Sequence, residues 1–179
     1  MEIEKNKGRM SIHGDGFIQL VLPGNLRLHV WHPDLPKCSC LTDGSIHDHR
    51  FSFTSRVLVG AQRNMEFQET KPEPATRTTF IAYGHKGDRK PCGSRPWTPL
   101  REIALNMESD VITHAGDWYH QNAFRFHKSI PVAPDGKGAT LMRKEKVLDG
   151  DATSLRPSSV DRDWETGKID TLTIGVTSG

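Results

Sequence analysis

The sequence predicts an all-β protein that forms a sandwich or a barrel. Short apolar runs rich in β-branched and aromatic residues alternate with turn residues, and the 179 residues include 16 glycines and 11 prolines, a composition typical of turn-rich β proteins. No segment longer than one short turn sustains the 3.6-residue apolar period of an amphipathic helix. A chain of this length fits one domain.

The apolar runs place the strands in order along the chain. A hairpin is expected first, because Phe17–Leu22 and Leu26–Trp31 flank the turn residues Pro23, Gly24 and Asn25. The later predicted strands are Phe51–Val59, Gln62–Gln68, Thr76–Tyr83, Arg101–Asn106, Val111–Thr113, Asp117–Gln121 and Ala139–Lys144.

The two ends of the chain differ in character, so we expect a β-barrel over residues 1–149 and a linker or surface arm over residues 150–179. The arm is rich in Ser, Thr, Asp and Gly, which favours irregular chain, above all over Asp149–Lys168. Its deletion is predicted to leave the barrel folded. Only Thr171–Val176 resembles a strand there, and it could pair with a neighbouring copy to give a homodimer.

Charge and targeting signals exclude several classes of protein. The net charge of +2 predicts no strong attraction to nucleic acid or to a membrane. No apolar run reaches the length of a membrane span, and the charged opening residues do not form a signal peptide. Three cysteines without a paired spacing (Cys38, Cys40 and Cys92) suit a reducing compartment. We therefore expect a cytoplasmic protein.

One loop accounts for the excess of basic over acidic residues in residues 1–149. Gly84–Arg101 holds five basic residues against one acidic residue, Asp88. A solvated surface loop is one interpretation. A lid that steers an anionic substrate toward the barrel is the other.

Two histidines stand two residues apart directly before a predicted strand. In an extended chain, residues i and i+2 project to the same face, so His47 and His49 could close on one metal ion at the usual His–metal distance of about 2.0–2.1 Å. They could equally be two solvated loop residues. A His-x-His pair alone is weak evidence for a metal site.

A second segment, Gly116–His127, adds a distant third histidine, and together the two segments resemble the cupin superfamily. The second cupin motif consists of a glycine, five residues, Pro-x-Gly, two residues and a histidine. Here Gly116 stands at the first glycine, Asn122–Phe124 stand at Pro-x-Gly, and His127 stands at the histidine. In the first motif His47 and His49 stand at the paired histidines. Leu41 stands at the position of the opening glycine, Thr54 stands near that of the glutamate, and Gly60 closes the turn.

The resemblance implies a double-stranded β-helix, or jelly-roll barrel, with a metal ion held by His47, His49 and His127. Without the glutamate, the ligands form a neutral three-histidine set similar to that of thiol dioxygenases and related non-haem iron cupins. Fe(II) is then the expected ion, although imidazole also suits Zn, Ni or Mn. His120, by strand alternation, should point away from this site or lie behind it.

Further residues are candidates for contacts with a small polar or anionic substrate. Arg27, His29 and Trp31 share one strand face, which either faces solvent or lines a polar pocket. Arg50 could clamp an anionic group or pair with Asp48. Gln121 would be unusual on a core face and is a candidate substrate contact. Tyr119 could work with His29 or His49 as an acid–base pair.

These features leave three functional classes open. The leading expectation is a mononuclear iron oxygenase, with Arg50 and Arg27 orienting the substrate. A sugar or nucleotide-sugar epimerase or isomerase is the second, and a non-catalytic binding module is the third.

Overall fold

The computed structural model describes residues 9–13, 15–36, 46–72, 78–85 and 98–158, and it confirms the all-β prediction. These residues contain eleven strands and no helix, and so no helix long and apolar enough to cross a membrane. The strands are β1 (Arg9–His13), β2 (Phe17–Leu22), β3 (Leu26–Trp31), β4 (Phe53–Val59), β5 (Ala61–Thr70), β6 (Thr79–His85), β7 (Thr98–His114), β8 (Trp118–Gln121), β9 (Phe126–Pro131), β10 (Gly138–Lys144) and β11 (Ala152–Pro157).

One antiparallel sheet has six strands in the order β1-β2-β3-β10-β4-β8. Its register decides which side chains share a face, because directly opposed residues point the same way. His29 lies opposite Thr140, and Arg27 lies opposite Met142. Thr140 is fully buried and Met142 is 4% exposed. The face that carries Arg27 and His29 is therefore the inner face of the sheet.

The second antiparallel sheet has five strands in the order β11-β6-β7-β5-β9. Residues 46–48 link its two edges, since His47 bridges both His127 in β9 and Ser154 in β11. The sheet therefore curls round on itself. It encloses an apolar cluster, which consists of Ile46, Ala82, Ile103, Phe126 and Leu155 with Phe67, Phe80 and Leu105 packed against it.

Three differences from the predicted strands have physical reasons. β7 is one strand of 17 residues where two were expected, because the polar residues between them pair with β5, as Glu66 does with Ser109. β1 and β9 were not predicted, since each is short and half polar. The ends of the expected basic loop belong to strands β6 and β7, and residues 86–97 lie outside the described residues.

The expectation of an irregular arm over Asp149–Lys168 is wrong for residues 152–157, which form β11. β11 pairs with β6 along its length, and Leu155 is only 2% exposed within the apolar cluster. The physical reason is long-range pairing, which a short polar segment does not reveal in sequence. The Thr171–Val176 segment and the three cysteines lie outside the described residues.

Candidate metal centre

Three histidines from two distant segments converge on one point. The ring centroids of His47 and His49 are 4.7 Å apart, and those of His49 and His127 are 5.0 Å apart. The two Nε2 atoms of His47 and His49 are separated by 3.2 Å. One nitrogen from each of the three rings lies within 4.8 Å of the others. The structure thus brings together His47, His49 and His127, the three histidines that the two motifs predicted as one ligand set.

Backbone hydrogen bonds fix the segment that carries the histidine pair. The His47 N–H donates to the His127 carbonyl at 3.1 Å, and the His127 N–H donates to the His47 carbonyl at 2.9 Å. The Phe124 N–H donates to the His49 carbonyl at 2.8 Å. Because both ends of this short segment are tied to the β9 region, the two imidazoles are held against the third.

Asp48, between the two histidines, points to the opposite side of the segment. Its N–H donates to the Thr153 carbonyl at 2.9 Å, and its carboxylate accepts the Thr153 N–H at 2.6 Å. Burial raises the pKa of the Asp48 carboxyl, although the Thr153 hydrogen bonds and nearby His47 act against it. Asp48 thus ties the histidine segment to β11, and it does not pair with Arg50 as one interpretation had it.

The protonation of the imidazoles suits metal binding. The Nδ1 of His127 lies 3.1 Å from the Arg125 carbonyl, and a carbonyl can only accept, so Nδ1 carries the proton and Nε2 keeps its lone pair. Burial lowers the pKa of His127 to about 3, with nearby His47 adding to the shift. Burial also lowers the pKa of His49 well below its usual value, with His47 and His127 contributing. Both rings are therefore neutral at pH 7, the state that binds a metal.

The three histidines form a group that could hold one divalent metal ion. Two ligands about 2.0–2.1 Å from an ion and roughly 100° apart are separated by about 3.2 Å, which is the distance between the His47 and His49 nitrogens. The backbone acceptor behind His127 is the type of partner that orients metal-bound histidines. Three imidazole ligands suit Fe, Zn, Ni or Cu, so the donor set does not select one metal.

The three histidines form one side of a pocket between the two sheets. The pocket has a volume of about 110 Å³, room for several water molecules. Besides the three histidines, the lining residues are His13, Asp15, Phe17, Gln19, Arg27, His29, Trp31, Phe51, Phe53, Tyr119, Ser129 and Met142.

Four other residues singled out in the sequence face this pocket. Arg27 and His29 line it together with Trp31, so the polar strand face is internal. Burial, with help from Arg27 and His13, lowers the pKa of His29 to about 3. Tyr119 lines the opposite part of the wall, and burial raises the pKa of its phenol against the hydrogen bonds of Ser55 and Ser129.

Two predicted site residues do not line the pocket. The Arg50 Nη1 donates to the Gly150 carbonyl at 3.3 Å, because the chain between His49 and β4 is not a regular strand and alternation does not apply there. Gln121 is 3% exposed on the inner face but lies beyond the pocket lining. His120 is exposed, and its ring hydrogen-bonds with Thr54 and Asn122, on the side away from the metal centre as expected.

The sequence reasoning missed His13 and Asp15, which face the metal centre from the turn between β1 and β2. The two side chains pair at 3.1 Å. Burial alone would raise the pKa of Asp15, but the hydrogen bond and charge of His13, with His47 and Lys128, lower it. The available signal was the His-Gly-Asp-Gly turn directly before the first predicted strand. Ser129 was also missed, because β9 was not predicted.

Comparison with known proteins gives the chain no family. No model of a known protein family matches it, and a search of curated proteins found no match.

Acid should destabilise the metal-free protein through its buried histidines. His29 and His127 have folded pKa values of about 3, against about 6.5 in the unfolded chain. As pH falls from about 6.5 to 3, the unfolded chain gains protons that the folded chain cannot bind, so stability is lost over that window. We expect each histidine to cost on the order of 2 kcal/mol at pH 5.

Urea unfolding of chelator-treated protein at pH 7 and pH 5 measures this loss. His29→Gln should reduce the difference between the two pH values by about 2 kcal/mol, the contribution expected of His29. The same substitution at the exposed His120 is the control. Equal stability of the unmodified protein at both pH values would contradict the prediction.

Proposed function

We propose that the protein is a cupin-type metalloenzyme whose single divalent metal ion is bound by His47, His49 and His127. The observation that carries this proposal is the convergence of three imidazoles at the wall of a small-molecule pocket. A metal site with three protein ligands keeps positions free for other molecules, as catalytic sites do and structural sites do not.

The strand order supports a jelly-roll barrel for this enzyme. One sheet contains β3-β10-β4-β8, and the other contains residues 46–48, β9, β5 and β7 in adjacent positions. The chain therefore passes repeatedly between two facing antiparallel sheets, as in a double-sheet jelly roll. In that arrangement the histidines point into the space between the sheets.

Fe(II) oxygenase chemistry on a small polar or anionic molecule is our leading candidate. A bound Fe(II) ion would supply Lewis-acid and redox chemistry toward dioxygen and the substrate. Phe53 and Trp31 give the pocket apolar walls, and the Arg27 guanidinium provides a positive charge for an anionic group. Tyr119, held protonated by its raised pKa, can donate a hydrogen bond to the substrate.

The neutral His29 and protonated Tyr119 in one pocket also favour a second candidate, an epimerase or isomerase that works without metal chemistry. His29 would accept a proton and Tyr119 would donate one. A metal-free reaction of this type would survive loss of any one metal-binding histidine that does not contact the substrate. The two candidates therefore differ in their dependence on metal.

Dioxygen consumption by the Fe(II)-loaded protein tests the leading candidate. The protein is stripped with chelator, reloaded anaerobically with Fe(II) or Zn(II), and assayed in an oxygen electrode against small acids, thiols and sugars. We expect substrate-dependent uptake with Fe(II) and none with Zn(II), and we expect His49→Ala to abolish it while His120→Ala does not. Turnover without oxygen that persists in His49→Ala would contradict the oxygenase and support the isomerase.

A further inference from the structure

One carboxylate lines the same pocket as the three histidines. Asp15 belongs to the turn between β1 and β2, and its side chain is 20% exposed. The turn is held by the Gly16 N–H, which donates to the His13 carbonyl at 2.9 Å, and Gly16 has a φ of 79°, a left-handed conformation that favours glycine. Of the described residues that line the pocket, only Asp15 is acidic.

The ring of His13 holds the Asp15 carboxylate at this position. The His13 Nδ1 lies 3.1 Å from Asp15 Oδ2. The His13 ring stacks on Phe17, with ring centroids 4.4 Å apart and ring planes 11° apart. Phe17 in turn packs against Trp31, with ring centroids 5.1 Å apart. Ring contacts therefore anchor the carboxylate to the inner face of the six-stranded sheet.

The charge of Asp15 acts on histidines from both segments of the metal centre. Burial alone would raise the pKa of Asp15, but the hydrogen bond and charge of His13 hold it below its usual value. The charges of His47 and Lys128 lower it as well. Burial lowers the pKa of His127, and Asp15 acts against that fall. The carboxylate is therefore ionised at neutral pH, and its field reaches the ligands.

A metal ion at this site needs such a charge. Imidazoles bind a metal in their neutral form, so the three histidines leave the charge of a divalent ion uncompensated. A charge removed from water costs free energy unless an opposite charge lies nearby. The donor atoms that lie within 4.8 Å of one another belong to the three histidines and do not include an Asp15 oxygen. Asp15 is thus placed to act on an ion from just outside the ligand set.

A second histidine–aspartate pair of the same spacing lies on the surface. The His32 Nδ1 lies 3.5 Å from Asp34 Oδ2, and the Asp34 side chain is 87% exposed. Neither residue lines the pocket. A His-x-Asp pair therefore does not require burial in this protein, and Asp15 differs from Asp34 in its place beside the three histidines.

We propose that Asp15 is the charge partner of the metal centre. Its carboxylate offsets the positive charge of the bound ion without being a ligand, and it raises the affinity of the three histidines for divalent metals. This inference rests on the proposed metal site, but not on oxygenase chemistry. Groups just outside a ligand set commonly contribute about 10–100-fold to metal affinity.

Zn(II) titration of the chelator-treated full chain, in competition with a chromophoric chelator, measures this contribution. Asp15→Asn keeps the shape of the side chain and removes its charge, so it should weaken Zn(II) binding on the order of 10-fold or more. Asp15→Glu restores the charge and should recover most of the affinity. The control, Asp34→Asn, makes the same substitution in the surface pair and should bind like the unmodified protein.

The outcomes separate the role of Asp15 from the existence of the metal centre. Equal Zn(II) affinity of Asp15→Asn and Asp34→Asn, with binding by the unmodified chain, would overturn the role of Asp15 and leave the metal centre standing. Binding by Asp15→Glu as weak as that of Asp15→Asn would overturn it too, since the charge would then not be the cause. No binding by the unmodified chain would overturn both. Melting temperatures of the ion-free variants show which are folded, and if Asp15→Asn is not, Asp15→Ser decides in its place.

Discussion

Contrary to the expectation from sequence that the chain folds without residues 150–179, a chain that ends at Gly150 should be unfolded, because it lacks β11. A chain that ends at Ser158 and so keeps β11 should fold. The shorter chain loses every backbone pair between β11 and β6, and it loses Leu155, which is 2% exposed in the apolar cluster. Removing a buried leucine side chain alone costs about 2–5 kcal/mol, against a typical total stability of about 5–15 kcal/mol. Circular dichroism and urea unfolding of the two chains measure the difference.

The loss should also reach the metal centre. Residues 46–48 lie between β9 and β11, and the Leu155 N–H donates to the Ile46 carbonyl at 2.9 Å. Without β11, one side of the segment that carries His47 and His49 has no strand beside it. Any part of the shorter chain that folds should therefore bind metal more weakly than the chain that ends at Ser158.

A single substitution gives the same test without truncation. Leu155→Ala should destabilise the protein by about 2–5 kcal/mol, while Leu148→Ala, at a position 44% exposed, should change stability by less than about 0.5 kcal/mol. Equal melting temperatures for the two variants, or for the two truncated chains, would show that β11 does not stabilise the barrel.

The all-β class and most strands were predictable because alternating apolar residues and turn residues are local signals. The contribution of β11 was not, since the segment Ala152–Pro157 has few apolar residues and owes its burial to partners far away in sequence. The side of the sheet on which Arg27 and His29 lie could not be decided from alternation, which gives two faces but not which one is internal. The register with β10 decides it.

The three-histidine group could be predicted from the sequence more completely than the pocket around it. His47 and His49 follow from a two-residue spacing, and His127 follows from the spacing of the second motif. His13 and Asp15 could not be found in this way, because nothing in their own segment shows that β1 and β2 fold beside the histidines. Arg50 was assigned to the site by its nearness in sequence to His49, yet its guanidinium turns toward Gly150.

Metal titration of the stripped protein and of single-histidine variants tests the central claim most directly. The full chain should bind one equivalent of Co(II), Fe(II) or Zn(II), as measured by elemental analysis after gel filtration. His127→Ala removes one of three ligands and should weaken affinity on the order of 100-fold or more, and His49→Ala should do the same. His120→Ala, at an exposed histidine on the far side of the sheet, should bind like the unmodified protein. Binding of one equivalent that is unchanged in both His49→Ala and His127→Ala, or no binding by the full chain, would contradict the claim that these three histidines form a metal centre.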